Sequence, residues 1–193
     1  MQNVKVVAAT KPYISDPITG YIISIDEFVA YVARVSNPSN QMNSTTAPKL
    51  LKYLAKHKHW SPFEMVDIVM EIETTRDIAR QILRHRSFAF QEFSQRYADP
   101  TIDLGFVTRE ARLQDAKNRQ NSIETEDRDL QDKWNEKQAI AIDAARAAYK
   151  WAIQNNIAKE QARSVLPEGN TASRMYMKGS LRSWIHYCQV RMD

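Results

Sequence analysis

Apolar residues recur in the first part of the chain with the periods of short strands and short helices. The β-rich runs at 4–8 and 21–25 predict two strands, and Asp26 after the second run predicts the N-cap of a helix. The polar stretch 36–47 predicts a loop, and the leucines after it predict a helix over 48–57 with one apolar face. This part of the chain therefore mixes both kinds of element.

The period changes to two at 65–72, where apolar and polar residues alternate, and this predicts a strand with one buried face. A helix is predicted to begin at Thr75. Alanines recur over 134–153, and because alanine has the highest helix propensity this stretch predicts a long helix. The remaining elements are a short helix, a strand and a final helix, predicted over 159–165, 173–177 and 181–191.

Residues of both charge signs are dense over 109–138, which predicts a solvated helical region or a mobile insertion, the latter at about 105–130. Neither a repeat nor a low-complexity tract divides the chain, and its 193 residues match the usual size of one domain. We therefore predict a single α+β domain over 1–193, in which helices flank a small mixed sheet.

The composition excludes several classes of protein and of site. One cysteine forms neither an internal disulfide nor a cysteine-rich zinc module. The four glycines lack the spacing of a dinucleotide-binding or P-loop fingerprint, so any nucleotide must be bound in another way. No apolar run has the length of a membrane span, and the amino terminus lacks the features of a signal peptide. These observations predict a cytoplasmic location.

The charge balance is mildly basic, with 27 Lys+Arg against 23 Asp+Glu and a net charge of +4. Nucleic-acid-binding domains usually carry a denser basic run or stripe. The favoured interpretation is an ordinary basic protein, which leaves room for a small anionic ligand. A small nucleic-acid-binding protein is the alternative.

The densest chemical signal lies in residues 84–97, which contain three arginines, a carboxylate, two serine hydroxyls and a histidine. The planar donor fork of arginine matches phosphate and carboxylate groups, so the cluster suits a phosphorylated ligand. If the segment is extended, Glu92, Ser94 and Arg96 project from one face because side chains alternate along a strand. The competing interpretation is a solvated helix end, where the helix dipole favours cations. It explains the first two arginines but not the polar row.

Four blocks of residues occur in a distinctive order. One is Arg84-His85-Arg86, followed after seven residues by Ser94-Gln95-Arg96-Tyr97. The others are His59-Trp60-Ser61-Pro62-Phe63-Glu64, Arg163-Ser164-Val165-Leu166-Pro167, and Ser180-Leu181-Arg182-Ser183-Trp184-Ile185-His186-Tyr187 with Arg191 beyond it. Together they resemble the motifs of the flavin-dependent thymidylate synthases, and the resemblance extends from about residue 30 to the carboxyl end.

The resemblance implies that the protein makes dTMP by reductive methylation of dUMP. It implies methylenetetrahydrofolate as carbon donor, FAD as redox carrier and NADPH as reductant. A homotetramer with active sites at subunit interfaces is also implied, without a membrane or a specific nucleic acid as partner. The implied catalytic residue is Arg191, which would stabilise negative charge on N3 of the uracil and so make C5 more nucleophilic.

The other site residues are carried over by matching positions within the motifs. Those that match nucleotide-binding positions are Gln81, Arg84, Glu92, Ser94, Gln95, Arg96, Arg163 and Arg191. Those that match positions around FAD are Ser61, Arg84, His85, Arg86, Glu92, Ser180, Arg182 and His186. His59 matches a histidine that offers a stacking surface to flavin and folate.

The remaining reactive side chains are given structural roles. Cys188 lies within the predicted final helix and is expected to be buried. The resemblance implies that an arginine, and not a cysteine nucleophile, activates the substrate. The four histidines lack the spacing of a metal site, and no metal is predicted. A third hypothesis is a relative that binds FAD and nucleotide without turnover, because Gln95 stands where glycine is common and the chain stops at Asp193.

Overall fold

The computed structural model of the protein describes residues 3–192. Its backbone divides into two compact units. The sheet unit comprises residues 4–72, 85–91 and 176–192, and the long-helix unit comprises residues 73–84 and 92–175. The architecture is α+β, as predicted, while the single domain over 1–193 stays a prediction.

Strands and helices alternate irregularly along the described chain. The strands are β1 (Asn3–Ala9), β2 (Asp67–Thr75), β3 (Ala89–Glu92), β4 (Arg112–Gln114), β5 (Ser122–Glu124) and β6 (Ala172–Ser180). The α-helices are α1 (Ile25–Ala33), α2 (Ala47–Lys56), α3 (Arg76–Ile82), α4 (Pro100–Asp103), α5 (Arg128–Gln154), α6 (Lys159–Ala162) and α7 (Leu181–Arg191). Short 3₁₀ helices cover Pro38–Asn40, Ser61–Met65 and Arg163–Val165. The predicted strands at 4–8 and 173–177 and helices at 48–57, 159–165 and 181–191 are thus confirmed.

Four of the strands form one sheet in the order β1-β2-β6-β3, most of which lies in the sheet unit. Its register follows from contacts that pair Lys5 with Glu71, Thr10 with Asp67, Tyr176 with Glu71 and Lys178 with Asp67. Residue numbers rise along one strand while they fall along its neighbour, which is the antiparallel arrangement. The mixed sheet predicted above is therefore wrong at these pairs, because hydrophobic alternation does not encode the direction of the neighbouring strand.

The strand predicted at 65–72 is observed as β2, which continues to Thr75. One buried face was predicted, but Glu71 on the expected polar face is only 9% exposed. Because β2 has a strand on each side, the Glu71 carboxylate is covered by Lys5, at 2.8 Å, and by the Tyr176 hydroxyl, at 2.6 Å.

Helix α1 begins earlier than predicted, and its N-cap is Ser24 and not Asp26. The Ser24 hydroxyl accepts a hydrogen bond from the Glu27 amide, and the Ser24 amide donates to the Glu27 carboxylate at 2.8 Å. This reciprocal pair is a capping box. The strand predicted at 21–25 is absent, since Ile22 forms an isolated bridge with Ser15 and the helix already begins at Ile25.

The core of the sheet unit fixes the position of α7. Val29, Leu54, Phe63 and Val66 are buried together, and Leu181 and Ile185 of α7 pack against them. The helix is further held by the Trp184 indole, which donates to the carbonyl of Ile68 at 3.2 Å.

Helix α5 dominates the long-helix unit and begins at Arg128 instead of the predicted 134. The Asp127 side chain caps it by accepting from the Leu130 amide at 3.0 Å. The buried face of α5 contributes Tyr149 and Ala152 to a core with Ala162 and Leu166.

Residues 112–124 form the antiparallel hairpin β4–β5, so the helix predicted over 109–138 is wrong in this stretch. Two amide side chains of α5 hold the approach to the hairpin extended: Gln138 bonds the backbone N–H and C=O of Arg109, and Gln131 bonds those of Ala111, at 2.8–2.9 Å. The abundance of charged residues along the sequence does not reveal these side-chain contacts with the backbone. The mobility of 105–130 stays a prediction.

Candidate active site

A pocket of about 400 Å³ lies in the sheet unit beside α7, and we call it the α7 pocket. This volume is in the range of small-molecule sites, roughly 300–1,000 Å³. The lining combines basic, polar and aromatic side chains with one carboxylate: Lys58, Trp60, Glu64, Ser87, Arg182, Ser183, His186 and Gln189.

Helix α7 presents three of these side chains because of its periodicity. Arg182, His186 and Gln189 are spaced i, i+4, i+7 and therefore share one face. The helix begins where the Ser180 hydroxyl accepts from the Ser183 amide at 3.2 Å, an N-cap that sets the start of this face.

The negative charge of the carboxylate in the pocket lining is balanced by an arginine of the same lining. Glu64 accepts a hydrogen bond from the Arg182 guanidinium at 2.7 Å. A hydrogen bond from Ser180, followed by that from Arg182, lowers the pKa of Glu64 below its ordinary value. Glu64 is therefore ionised at neutral pH and orients Arg182, while the Lys58 ammonium remains as uncompensated positive charge in the lining.

His59 and Ser61, the predicted site residues on either side of Trp60, are not among the residues that line the α7 pocket. His59 is exposed, and its ring centroid lies 6.1 Å from Tyr53 and 6.3 Å from His57. Ser61 opens the following 3₁₀ helix and lines a different pocket of the sheet unit.

His85 and Arg191 meet in the sheet unit. A guanidinium nitrogen of Arg191 lies 3.3 Å from Nε2 of His85, whose ring packs edge-on against Tyr187 at 4.7 Å. Because a guanidinium has no acceptor, Nε2 must accept and the imidazole must be neutral. Burial first, and then the positive charges of Arg191 and His186, lower the pKa of His85 below 6.5. Arg86, next in the chain, is exposed.

In the long-helix unit, two arginines predicted to bind nucleotide converge on one carboxylate. Glu160 of α6 pairs with Arg96 at 2.5 Å and with Arg163 at 2.7 Å. Two guanidinium groups that share one carboxylate are also placed to share one phosphate.

The polar row predicted on one extended face is interrupted. Strand β3 ends at Glu92, and the amide of Tyr97 donates to the carbonyl of Ser94 at 3.1 Å, which closes a turn. The side chain of Gln95 is turned inward, since the residue is only 5% exposed, whereas Arg96 is exposed. The prediction that Arg96 shares an extended face with Glu92 and Ser94 is therefore wrong, because the backbone turns after Ser94.

Within the long-helix unit, Glu92 is bound by two residues that the sequence analysis did not identify. Its carboxylate accepts from Arg76 at 3.0 Å and from the Ser173 hydroxyl at 2.8 Å. Gln81 lies on α3 and Arg84 follows the C-cap Leu83 of that helix, and both Gln81 and Arg84 are exposed.

The comparisons with known proteins agree with one another. The family model of the thymidylate synthase complementing protein matches residues 20–193. A flavin-dependent thymidylate synthase of Synechocystis sp. is 49% identical over 191 residues, 99% of this chain and 85% of its own length. A probable flavin-dependent thymidylate synthase of Paramecium bursaria Chlorella virus 1 is 46% identical over 189 residues, 98% of this chain and 84% of its own length.

The chain belongs to the flavin-dependent thymidylate synthase family. The resemblance stated from the motifs is thereby confirmed. The protein is an enzyme of this family, which decides against the alternative of a small nucleic-acid-binding protein.

A solved structure shows the same fold. The UMP/dUMP methylase PolB from Streptomyces cacaoi, bound with 5-Br dUMP, superposes with a TM-score of 0.78 over 97% of this chain and 76% of that chain. The two sequences are 23% identical, so the likeness concerns the fold.

The two groups of residues carried over from the thymidylate synthase motifs fall largely into different units. Every predicted nucleotide-binding residue except Arg191 lies in the long-helix unit, and every predicted FAD residue except Arg84 and Glu92 lies in the sheet unit. Of the predicted residues, Arg182 and His186 line the α7 pocket.

Sequence reasoning missed several residues of the α7 pocket. The helical spacing from Arg182 and His186 was a signal that pointed to Gln189. Trp60 and Glu64 stand within a recognised motif of the thymidylate synthases but had no assigned role. Ser87 belongs to the polar cluster at 84–97 but had no assigned role, and Lys58 carried no signal. Only the tertiary structure brings the two residues to α7.

Cys188 is exposed on α7, contrary to the expectation that it is buried. The helix packs on the core through Leu181 and Ile185, and position 188 lies towards its carboxyl-terminal end. Separately, no helix within residues 3–192 is long and apolar enough to cross a bilayer.

Proposed function

We propose that the protein catalyses the reductive methylation of dUMP to dTMP. The observation that carries this proposal is membership of the thymidylate synthase family over residues 20–193. In the balanced reaction dUMP, methylenetetrahydrofolate, NADPH and one proton give dTMP, tetrahydrofolate and NADP⁺. Bound FAD would transfer the reducing electrons from NADPH to the one-carbon unit.

The composition of the α7 pocket supports its use for the flavin or the folate. An indole and an imidazole, from Trp60 and His186, offer surfaces to a planar ring, and hydroxyl and amide groups offer hydrogen bonds. In this proposal the residues that hold FAD are Ser61, Arg84, His85, Arg86, Glu92, Ser180, Arg182 and His186. His59, exposed at the end of α2, would stack on flavin and folate.

The dUMP phosphate is assigned to the arginines of the long-helix unit. Support comes from Arg96 and Arg163, which already share the carboxylate of Glu160 and so present two donor forks to one anion. The remaining contacts to the nucleotide are assigned to Gln81, Arg84, Glu92, Ser94 and Gln95.

Arg191 is proposed to activate the pyrimidine. Its positive charge next to N3 would stabilise the anion that makes C5 nucleophilic, and a preorganised donor of this kind contributes about 3–4 kcal/mol. Among residues 3–192 Arg191 pairs with no carboxylate, and the neutral ring of His85 orients it without cancelling its charge. A cysteine nucleophile is not required.

Assembly as a homotetramer completes the proposal. Helix α5 supports it, because apolar side chains lie opposite its buried face at the spacing i, i+4, i+7, i+11. They are Ile140 and Trp151, 56% and 60% exposed, with exposed Ala144 and Ala147 between them. A cytoplasmic location stays a prediction.

The test is product formation with dUMP, methylenetetrahydrofolate, NADPH and FAD, each omitted in turn, with dTMP followed by chromatography. We expect dTMP that is lost when any one component is left out. Arg96→Ala and Arg163→Ala should each weaken dUMP binding severely because the phosphate loses a donor fork. Arg146→Ala, which removes an exposed arginine of α5 outside the assigned residues, is the control.

Two outcomes would contradict the assignments. A yellow protein that binds flavin and dUMP but forms no dTMP would be the relative without turnover. Normal dUMP affinity in both arginine variants would show that the phosphate binds elsewhere.

A further inference from the structure

Lys58 has a backbone conformation that lysine rarely adopts. Its φ is +58°, in the left-handed region that favours glycine. The cause is the end of α2, where the amide of His59 donates to the carbonyl of Leu54 at 2.8 Å and that of Lys58 to Ala55 at 3.2 Å. This pair of bonds is a Schellman motif, whose left-handed position is usually glycine and sometimes asparagine.

The same motif ends α5, and there the chain uses asparagine. Ile157 donates to the carbonyl of Ala152 at 3.0 Å and Asn156 to Ile153 at 3.1 Å, with φ of +59° at Asn156. The backbone requirement is the same at both sites, so it does not explain a lysine at position 58. Lysine is less favourable than glycine or asparagine in this left-handed conformation. We therefore expect a role of the Lys58 side chain that offsets this conformational cost.

Lys58 is one of the residues that line the α7 pocket. The carboxylate in that lining, Glu64, already accepts a hydrogen bond from Arg182 at 2.7 Å. Within residues 3–192, Lys58 forms no ion pair of its own. An ammonium group beside a pocket, without an acid to balance it, is suited to an anion brought by the ligand.

We propose that Lys58 binds the anionic end, a phosphate or a carboxylate, of the ring-bearing ligand held in the α7 pocket. The inference rests on the proposed function, in which that ligand is the flavin or the folate. The planar ring lies against Trp60 and His186, while Lys58 sets the preference for a charged over an uncharged form of the same ring. Lys58 is thus a specificity-determining residue of this pocket.

The test compares charged ligands with neutral ligands that carry the same ring. FAD is paired with riboflavin, and tetrahydrofolate with 6-methyltetrahydropterin, and each dissociation constant is measured by fluorescence or calorimetry. Lys58→Asn removes the charge and also suits the left-handed backbone, Lys58→Gln removes the charge alone, and Lys58→Arg keeps it. Lys56→Asn is the matched control, because Lys56 is the last residue of α2, two positions before Lys58, and lies outside the lining.

We expect Lys58→Asn and Lys58→Gln to weaken either FAD or tetrahydrofolate about tenfold, as for a lost hydrogen bond to a charged group. Which ligand weakens identifies phosphate or carboxylate as the bound anion. The neutral partner should bind unchanged, Lys58→Arg should retain affinity, and Lys58→Asn should not lower the melting temperature.

Wild-type affinity of Lys58→Asn and Lys58→Gln for both charged ligands, in an enzyme that still makes dTMP, would overturn the role of Lys58 and leave the proposed function standing. Equal weakening of charged and neutral ligands would also overturn it, because the pocket itself would then have changed. A wild-type protein that binds neither flavin nor folate would overturn both proposals.

Discussion

At the scale of single residues, the most informative contact joins His85 and Arg191. The 3.3 Å contact requires a neutral imidazole, and the burial and positive charges that lower the pKa of His85 favour the same state. A group whose folded pKa lies below its unfolded value contributes stability above the unfolded pKa. The contribution of His85 is therefore present above about pH 6.5 and is lost as the pH falls through its folded pKa.

The pKa of His85 is predicted to lie below 6.5 in an NMR titration of its ring protons and to rise in Arg191→Ala. The rise should be partial, because burial is the larger cause and remains. Arg182→Ala, which removes another cation from α7, should leave the titration of His85 unchanged. A His85 that titrates alike in wild type and Arg191→Ala would mean that the two side chains do not interact in solution.

The motif around these residues shows how far residue-level reasoning reaches. The Arg84-His85-Arg86 signature led to the family without any structure. It did not reveal that the Glu92 carboxylate is bound by Arg76 and Ser173, because these partners are distant in the sequence.

At the scale of elements, the start of α1 shows which of two suitable residues is the N-cap of the helix. Ser24 and Asp26 both favour an N-cap, and the choice depends on which backbone turns first into the helix. The structure selects Ser24, because Glu27 then stands three residues on and closes the capping box.

Ser24→Ala is expected to lower the free energy of unfolding by about 1 kcal/mol, since the first turn loses its side-chain acceptor. Asp26→Ala is the comparison: it removes a helix-dipole contribution of about 0.3–1 kcal/mol and the hydrogen bond that Asp26 accepts from the Ser24 hydroxyl at 2.6 Å, but it leaves the bond between the Ser24 hydroxyl and the Glu27 amide in place. Urea denaturation of both variants gives the two values. A larger loss for Asp26→Ala than for Ser24→Ala would favour the N-cap predicted from the sequence.

At the scale of the whole molecule, the long helix α5 has two different apolar faces. Its buried face packs Tyr149 and Ala152 within its own unit. On the opposite face, Ile140 and Trp151 are exposed to solvent. Contiguous apolar patches of this kind are uncommon on monomeric proteins and often mark an interaction surface.

If the proposed tetramer uses this face, Ile140→Lys and Trp151→Lys should each reduce the mass measured by light scattering. A buried lysine would be left without a partner at the interface, which disfavours association. Lys150→Glu changes the charge of an exposed position elsewhere on α5 and should leave the mass unchanged. An unaltered tetramer in both lysine variants would place the interface on another surface.

The sequence alone determined most helices and strands and the family of the protein, because periodicity and contiguous motifs depend on residues close together in the chain. It also determined that Arg182, His186 and Gln189 share a helix face. The tertiary structure decided the strand directions, the hairpin at 112–124 and the burial of Glu71. It also decided that Lys58 and Glu64 meet α7 in one pocket. These features depend on contacts between residues far apart in sequence, and no local pattern records such contacts.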